Sequence, residues 1–487
     1  MMKSVSTWRM FNFHTKHMQG DAVNTNTTFS KMNHPKNILS EIKSAKGLPF
    51  SEILSSEIII KHIENLEYRT RFFPPDITLW MFLSQVFNDD QSLQAALERA
   101  IVFFLSQEME VPSSNSTAAY SKARTRLPEE LLSNLVIDSG KELEKQTPIA
   151  WLWDERHAKL VDGSTVSMPD TLENQEAYPQ PDSQKKGVGF PIARVVAVTS
   201  CTTGAVLNLA IGPYSGKKTG EHALLRQLMD TFDAGDVVLG DCYYASYFLI
   251  AALMKKGVDA VFPIHAARNH DFRTGQRFGK KDHVVQWIKP TKPEWMEQEE
   301  YDSFQNEITI RELAIQSEHK GYQTKSRVMV TTFLDPKTTP KAKLAILYSY
   351  RWRIELDFKS IKETMRMDIL RGKTPAMVRK EIWAHLLGYN LIRKIMAQSA
   401  YVHNKIPRQL SFKLALQAIE AFRNGNLLSG KNVEIYAHLL KMIAYKTVGN
   451  RPNRYEPRRV KRRAKSFPKM QKARHLYKRK LSAKGLS

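Results

Sequence analysis

The sequence predicts a mixed α/β sheet with helices on its faces, preceded by a helical domain and interrupted by a β-rich insertion. Three observations carry that expectation. Between residues 158 and 264, β-branched runs punctuated by Gly alternate with helical stretches. Ahead of them, residues 46–140 place apolar side chains at three-and-four spacing. Behind them, residues 265–325 are rich in Arg, His, Lys and Gly and hold short alternating stretches such as NEITIRELAI, after which a sheet-like run resumes.

Taken in order, residues 1–45 are polar and read as a flexible extension. The helical domain, 46–140, contains SEILSSEIIIKHIENLEY and DQSLQAALERAIVFFLSQ. Its Ser-rich loop leads into a helix bearing Lys122, Arg124 and Arg126. A basic helix in a small helical domain is a candidate DNA reader; an ordinary bundle with a solvated basic face explains it equally well. The first part of the core, 141–264, opens with strands AKLVDGSTVSM (158–168), ARVVAVTSCT (193–202) and AVLNLAIGP (205–213), the last two joined by a Thr-Gly turn. A helix over 220–232, a strand over 236–244, a helix over 245–257 ended by Gly257, and a strand over 258–264 follow. The insertion spans 265–325. The second part of the core, 326–400, begins with SRVMVTTFL and continues as one long helix from Thr339 and Pro340. C-terminal helices occupy 401–450, and a basic tail covers 451–487.

The net charge of +24 over 487 residues points to a polyanionic partner, most simply nucleic acid. From Arg451 onward there are 15 Lys or Arg against the single acid Glu456, a composition that contacts phosphate backbones without reading sequence. Two cysteines, Cys201 and Cys242, suggest no disulfide framework and a reducing, cytoplasmic setting. No apolar run approaches the ~20 residues of a membrane helix.

The segment YSYRWRIELDFKSIK, 348–362, concentrates charge beside aromatics. At about 100° per residue, Tyr348, Arg351, Glu355 and Lys362 fall within an arc of roughly 60°. Leu347, Ile354, Phe358, Ile361 and Met365 form an adjacent apolar stripe that must pack, which leaves the four on its shoulder, facing a cleft. Asp357 points almost the opposite way from Glu355. An i,i+4 ladder, Arg351–Glu355 and Glu355–Lys359, is the plain structural alternative. Two more carboxylates tip the balance. Asp162 follows KLV and precedes Gly-Ser; Asp241 follows VVLG and precedes CYY. Each sits near the end of, or just within, a predicted strand, where an unpaired charge is expensive to bury, although a simple turn former explains either one taken alone. With Glu355 they make three acids expected to converge within a few ångströms, the oxygen ligands that hard divalent ions take. Cys242 reads as a small buried residue. His222 and His265 lack partners at zinc-ligand spacing.

The spacing Y-x-x-R-x-x-x-E-x-x-x-x-x-x-K, met by Tyr348, Arg351, Glu355 and Lys362, resembles the signature of a group of bacterial insertion-sequence DDE transposases. LVDGSTVSMPDT and VVLGDCYYASY resemble that family's two catalytic aspartate blocks, and the resemblance covers about residues 45–470. It implies a ribonuclease H-like core interrupted by the insertion. Asp162, Asp241 and Glu355 would hold two Mg²⁺ ions, with Mn²⁺ as a substitute, and catalyse DNA cleavage and strand transfer. Tyr348, Arg351 and Lys362 would bind DNA phosphates. An insertion aromatic, with Trp287 and Trp295 as candidates, would stack on a flipped base, although a buried core Trp explains either. The implied partners are double-stranded DNA carrying terminal inverted repeats, target DNA and a second copy of the chain. The implied location is the bacterial cytoplasm, on the nucleoid. A ribonuclease H-like nuclease without strand transfer, or an inactive DNA-binding derivative, remain the alternatives.

Overall fold

The computed structural model describes residues 72–106, 108–216, 219–316, 326–424 and 433–449, together with Ile59, His62 and a few positions between 471 and 479. The expected extension, 1–45, and most of the basic tail lie outside the described residues.

Among the described residues from 72 onward, four helices lead: α1 (Pro75–Phe87), α2 (Leu93–Ser106), α3 (Ala118–Arg126) and α4 (Glu129–Lys145). The core follows with β1 (Ala158–Ser167), α5 (Leu172–Ala177), β2 (Ile192–Ser200), β3 (Val206–Pro213), α6 (Glu221–Arg226), β4 (Val237–Leu239), α7 (Tyr247–Lys255) and β5 (Asp259–Pro263). Then come β6 (Gln276–Gly279), β7 (Asp282–Ile288), α8 (Gln298–Asp302), β8 (Glu307–Gln316) and β9 (Ser326–Thr331). Helices α9 (Lys341–Ser349), α10 (Trp352–Lys359), α11 (Pro375–Val402), α12 (Phe412–Asn424) and α13 (Val433–Tyr445) follow.

The first five strands lie in the order β3-β2-β1-β4-β5. Neighbours β1, β4 and β5 run parallel, and β2 is antiparallel to both β1 and β3. That order and polarity define a ribonuclease H-like core, so the expected fold class holds. Gly204, at φ +83°, makes the tight link of the β2–β3 hairpin that the Thr-Gly pair predicts. The strands from the insertion are not a separate sheet. β9 pairs with both β5 and β8, and β7 and β6 follow, so nine strands form one continuous surface.

Two apolar clusters sandwich that surface. On one face, Leu160, Val195 and Ala197 pack with Ile354, Phe358 and Ile361 of the α10 region and with the long α11. On the other, Val161, Val196 and Val198 pack with α6 and α7. The N-terminal helices join the first cluster: Leu79 and Leu83 of α1 and Leu132 and Leu135 of α4 pack with Ile382 and Leu386 of α11. α2 and α3 form a smaller cluster of their own around Leu97 and Tyr120. Of the three basic residues on α3, Arg124 is spent inside the bundle, donating to Gln85 at 2.9 Å and lying over the Phe82 ring. Lys122 and Arg126 are exposed.

The predicted long helix after Pro340 is interrupted. Tyr350 and Arg351 keep helical dihedrals, but their amides bond three residues back, to Leu347 and Tyr348, rather than four. A π-helical turn, Ser360–Thr364, follows α10. Asp357, directed away from Glu355, is buried at 1% exposure and receives Arg393, Arg408 and the Tyr389 hydroxyl. Arg408 also donates to the Ser200 and Cys201 carbonyls, so this hub ties α10 to α11 and to the end of β2. Asp357→Ala would strand two buried guanidinium groups and is expected to destabilise the fold by about 3–5 kcal/mol. Denaturant unfolding checks this; a loss under about 1 kcal/mol would show that the hub is dispensable.

Candidate active site

Asp162 and Asp241 come together because of strand register. β1 and β4 pair in parallel with Leu160 opposite Leu239. Two residues further along each chain stand Asp162, midway along β1, and Asp241, just past the carboxyl end of β4, near enough for their charges to interact. Asp241 is not within a strand, as the sequence suggested. β4 stops at Leu239, and Asp241 instead caps a short 3₁₀ turn, Cys242–Tyr244, its Oδ1 accepting from the Tyr243 amide at 2.8 Å. This ends the strand early and frees the carboxylate from the ladder. Cys242 is exposed rather than buried, because the same turn points it outward.

The alternation of β1 puts Asp162 and Ser164 on the face covered by α10. There Arg351, at the start of α10, ion-pairs with Glu355 and sets its Nη1 3.8 Å from Asp162 Oδ2. One guanidinium thus serves two of the three predicted acids. The expected preformed cage of three carboxylates is absent: among the described residues no three acids, histidines or cysteines lie close enough to enclose an ion. Glu355 is turned to Arg351 instead. Lys362 Nζ donates to Ser164 Oγ at 3.2 Å, two residues along β1 from Asp162. Tyr348 is 7% exposed, and its hydroxyl accepts from Arg327 of β9 at 3.4 Å. Tyr348, Arg351, Glu355 and Lys362 therefore do share one side of the helical segment. The three-residue bonding at 350–351 keeps the arc while bringing Arg351 against Tyr348.

Electrostatics mark Asp162 out. Burial, helped by the neighbouring charges of Asp241 and Glu221, lifts its pKa from 3.8 to about 6, against the opposing pull of the Gly163 amide and Arg351. Arg351 is pushed up: burial acts against its charge, and Tyr348, Glu355 and Asp162 outweigh it. Burial is also the main cause that raises the Tyr348 phenol. A desolvated carboxylate with another carboxylate beside it is a fitting donor set for a hard divalent cation, which would relieve both penalties.

Glu221, which sequence spacing gave no reason to select, stands on the opposite face of β1. Its carboxylate lies against Gly163 and accepts from the Tyr244 hydroxyl at 3.2 Å. The glycine directly after Asp162 was the available signal. His222 contacts the Tyr243 carbonyl and packs against the Tyr243 ring in a tilted geometry, with centroids 4.6 Å apart. Trp287 is a core residue: it is 4% exposed, donates to Glu312 and is covered by Arg268. Trp295 is half-buried, with Arg226 stacked 3.7 Å from its ring centre.

Residues 153–391 match the transposase DDE domain family. The chain is 26% identical, over 82% of its own length and 88% of the relative's, to transposase InsG for insertion sequence element IS4 of Escherichia coli strain K12. It is 36% identical over 72 residues, 15% of this chain and 19% of the relative, to the transposase for insertion sequence element IS421 of Escherichia coli. A piggyBac transposase in a synaptic complex with hairpin DNA superposes with a TM-score of 0.41 at 9% identity, covering 87% of this chain and 88% of that one. The fold assignment rests on strand order and not on that superposition.

The raised Asp162 pKa has a stability consequence. Between about pH 4 and 6 the folded state binds a proton that the unfolded state has released, so this residue's contribution falls as pH rises through that window. In metal-free protein, Asp162→Asn should therefore stabilise by about 2 kcal/mol above pH 7 and change little below pH 4. Thermal unfolding at the two pH values measures it; equal effects at both would mean Asp162 titrates normally.

Proposed function

The chain is a DDE transposase of the insertion-sequence kind, and on that premise we propose that Asp162, Asp241 and Glu355 are its catalytic carboxylates. The observation that supports this proposal is the parallel register of β1 and β4, which sets Asp162 and Asp241 each two residues beyond the Leu160–Leu239 pair, with Glu355 tied to Asp162 through one arginine. Enzymes of this family generally use a divalent metal. Here it would be Mg²⁺, as two ions, or Mn²⁺, held by the three carboxylates. When bound, the metal supplies charge neutralisation and activation of the attacking oxygen at phosphorus.

The chain's own groups do the rest. Above about pH 6 Asp162 is ionised and able to ligate. Glu355 becomes available when Arg351 exchanges it for a DNA phosphate, since a guanidinium binds phosphate as well as carboxylate in a bidentate fork. Lys362, directed along β1, and the Tyr348 hydroxyl hold neighbouring phosphates and orient the end that is cut. Attack by water on the scissile phosphorus breaks the bond to the 3′ oxygen and leaves a 3′-OH. In strand transfer that 3′ oxygen attacks a target phosphorus, expels the target's own 3′ oxygen and gives up its proton. Both steps are in-line displacements, so one site serves both. The substrate would be double-stranded DNA bearing the element's terminal inverted repeats. Two ends cut together would require a homodimer on DNA, and the site of action would be the bacterial nucleoid. Among the described residues no helix is long and apolar enough to cross a membrane. Lys122 and Arg126 of α3 and the basic tail, 451–487, would add backbone contacts.

The test is incubation with Mg²⁺ and DNA carrying the terminal inverted repeats. Strand-transfer products are expected; nicks alone would indicate a nuclease. Glu355→Ala should reduce cleavage by at least about a thousandfold and leave the gel shift intact. Loss of DNA binding as well would make Glu355 a structural residue. Lys362→Ala should weaken binding of cut ends and reduce the salt dependence of binding by about one unit of slope.

A further inference from the structure

Each catalytic aspartate proposed above is flanked by a glycine on the side away from α10, and the space beside each glycine is filled. After Asp162 comes Gly163, where a Cβ would come within 2.8 Å of Glu221 Oε2 and closer still to the rest of that carboxylate. Before Asp241 comes Gly240, where a Cβ would meet Tyr244 Cδ2 at 2.8 Å and Phe262 Cε1 at 3.2 Å. The two fillers are bonded to each other: the Tyr244 hydroxyl donates to Glu221 Oε2 at 3.2 Å. Gly163 in turn donates its amide to Asp162 Oδ1 at 2.9 Å, and the Tyr243 amide, next to Tyr244, donates to Asp241 Oδ1 at 2.8 Å. Tyr244 is fully buried. Burial first, then the carboxylates of Glu221, Asp162 and Asp241, drive its phenol far above the ordinary value, so it remains a donor.

We propose that Glu221 and Tyr244 are positioning residues, a hydrogen-bonded strut that spans the back of β1 and β4 and sets the separation and orientation of Asp162 and Asp241. The proposal rests on the assignment of those aspartates as metal ligands. The physical reason for a strut is plain. β4 stops two residues short of Asp241 and is only three residues long, so sheet hydrogen bonds do not hold Asp241 in place. Two carboxylates brought together also repel. A packed, bonded pair behind them opposes both the fraying and the repulsion, in the way that groups behind a metal's ligands fix those ligands elsewhere.

The experiment is titration of the full-length, metal-free chain with Mn²⁺ alone, reading free Mn²⁺ by electron paramagnetic resonance, with thermal melting in parallel. Tyr244→Phe and Glu221→Ala should weaken Mn²⁺ binding by about tenfold or more with melting temperature held within about 2 °C. Glu221→Gln should stay within about twofold of the parent, because its amide oxygen still accepts from Tyr244. Asp162→Asn serves as the reference for a lost ligand. Glu221→Gln as weak as Glu221→Ala would overturn the strut, since the charge and not the bond would then matter. Loss that merely tracks falling melting temperature would overturn it too. Mn²⁺ affinity lost in Asp162→Asn but kept in Tyr244→Phe and Glu221→Ala would sink the strut alone. Affinity unchanged in Asp162→Asn would sink the ligand assignment itself, and the strut with it.

Discussion

Negative charge crowded where β1 runs past the end of β4 is the constraint around which this protein is arranged. Asp162, Asp241 and Glu221 act on one another within a partly dry site. Such repulsion persists only if the surrounding structure imposes it. Arg351 supplies compensation from the helix side, and the buried hub at Asp357 locks the helix that carries Arg351. The arginine beside Asp162 is held in place by an aspartate two residues beyond Glu355.

Arg351 also explains why the carboxylates are drawn together without closing. A guanidinium is the nearest thing a protein has to a fixed cation of the right shape. While it engages Glu355, the glutamate is neutralised and partly withdrawn. DNA phosphate is the natural competitor for the same fork. In the proposed mechanism this one side chain would couple substrate arrival to completion of the site and suppress cutting in the absence of a bound end.

Much of this was legible in the residues. The β1–β2–β3 run, the Gly257 helix end at φ +69°, the strands at 259–263 and 326–331 and the shared arc of Tyr348, Arg351, Glu355 and Lys362 follow from periodicity and turn chemistry. What escaped depended on long-range contacts. Asp241 looked like a strand residue because Val237, Val238, Tyr243 and Tyr244 on either side are β-prone, yet its side chain caps the following turn. The helix break at 350–351 has no Pro or Gly to announce it, and it lies between two core residues, Tyr348 and Ile354. Arg124 looked like a DNA contact because its partners, Gln85 and Phe82, are some forty residues away in sequence. Glu221 stands nearly sixty residues from Gly163, and only the fold brings them together.

The continuity of the nine-stranded sheet has a mechanical consequence. A domain inserted through flexible linkers can swing, and whatever it grips swings too. Here β9 is hydrogen-bonded on one side to β5 and on the other to β8, so the inserted strands and the interior β1–β4 pair belong to one sheet, and a load applied at the far strands is carried to that pair along backbone hydrogen bonds.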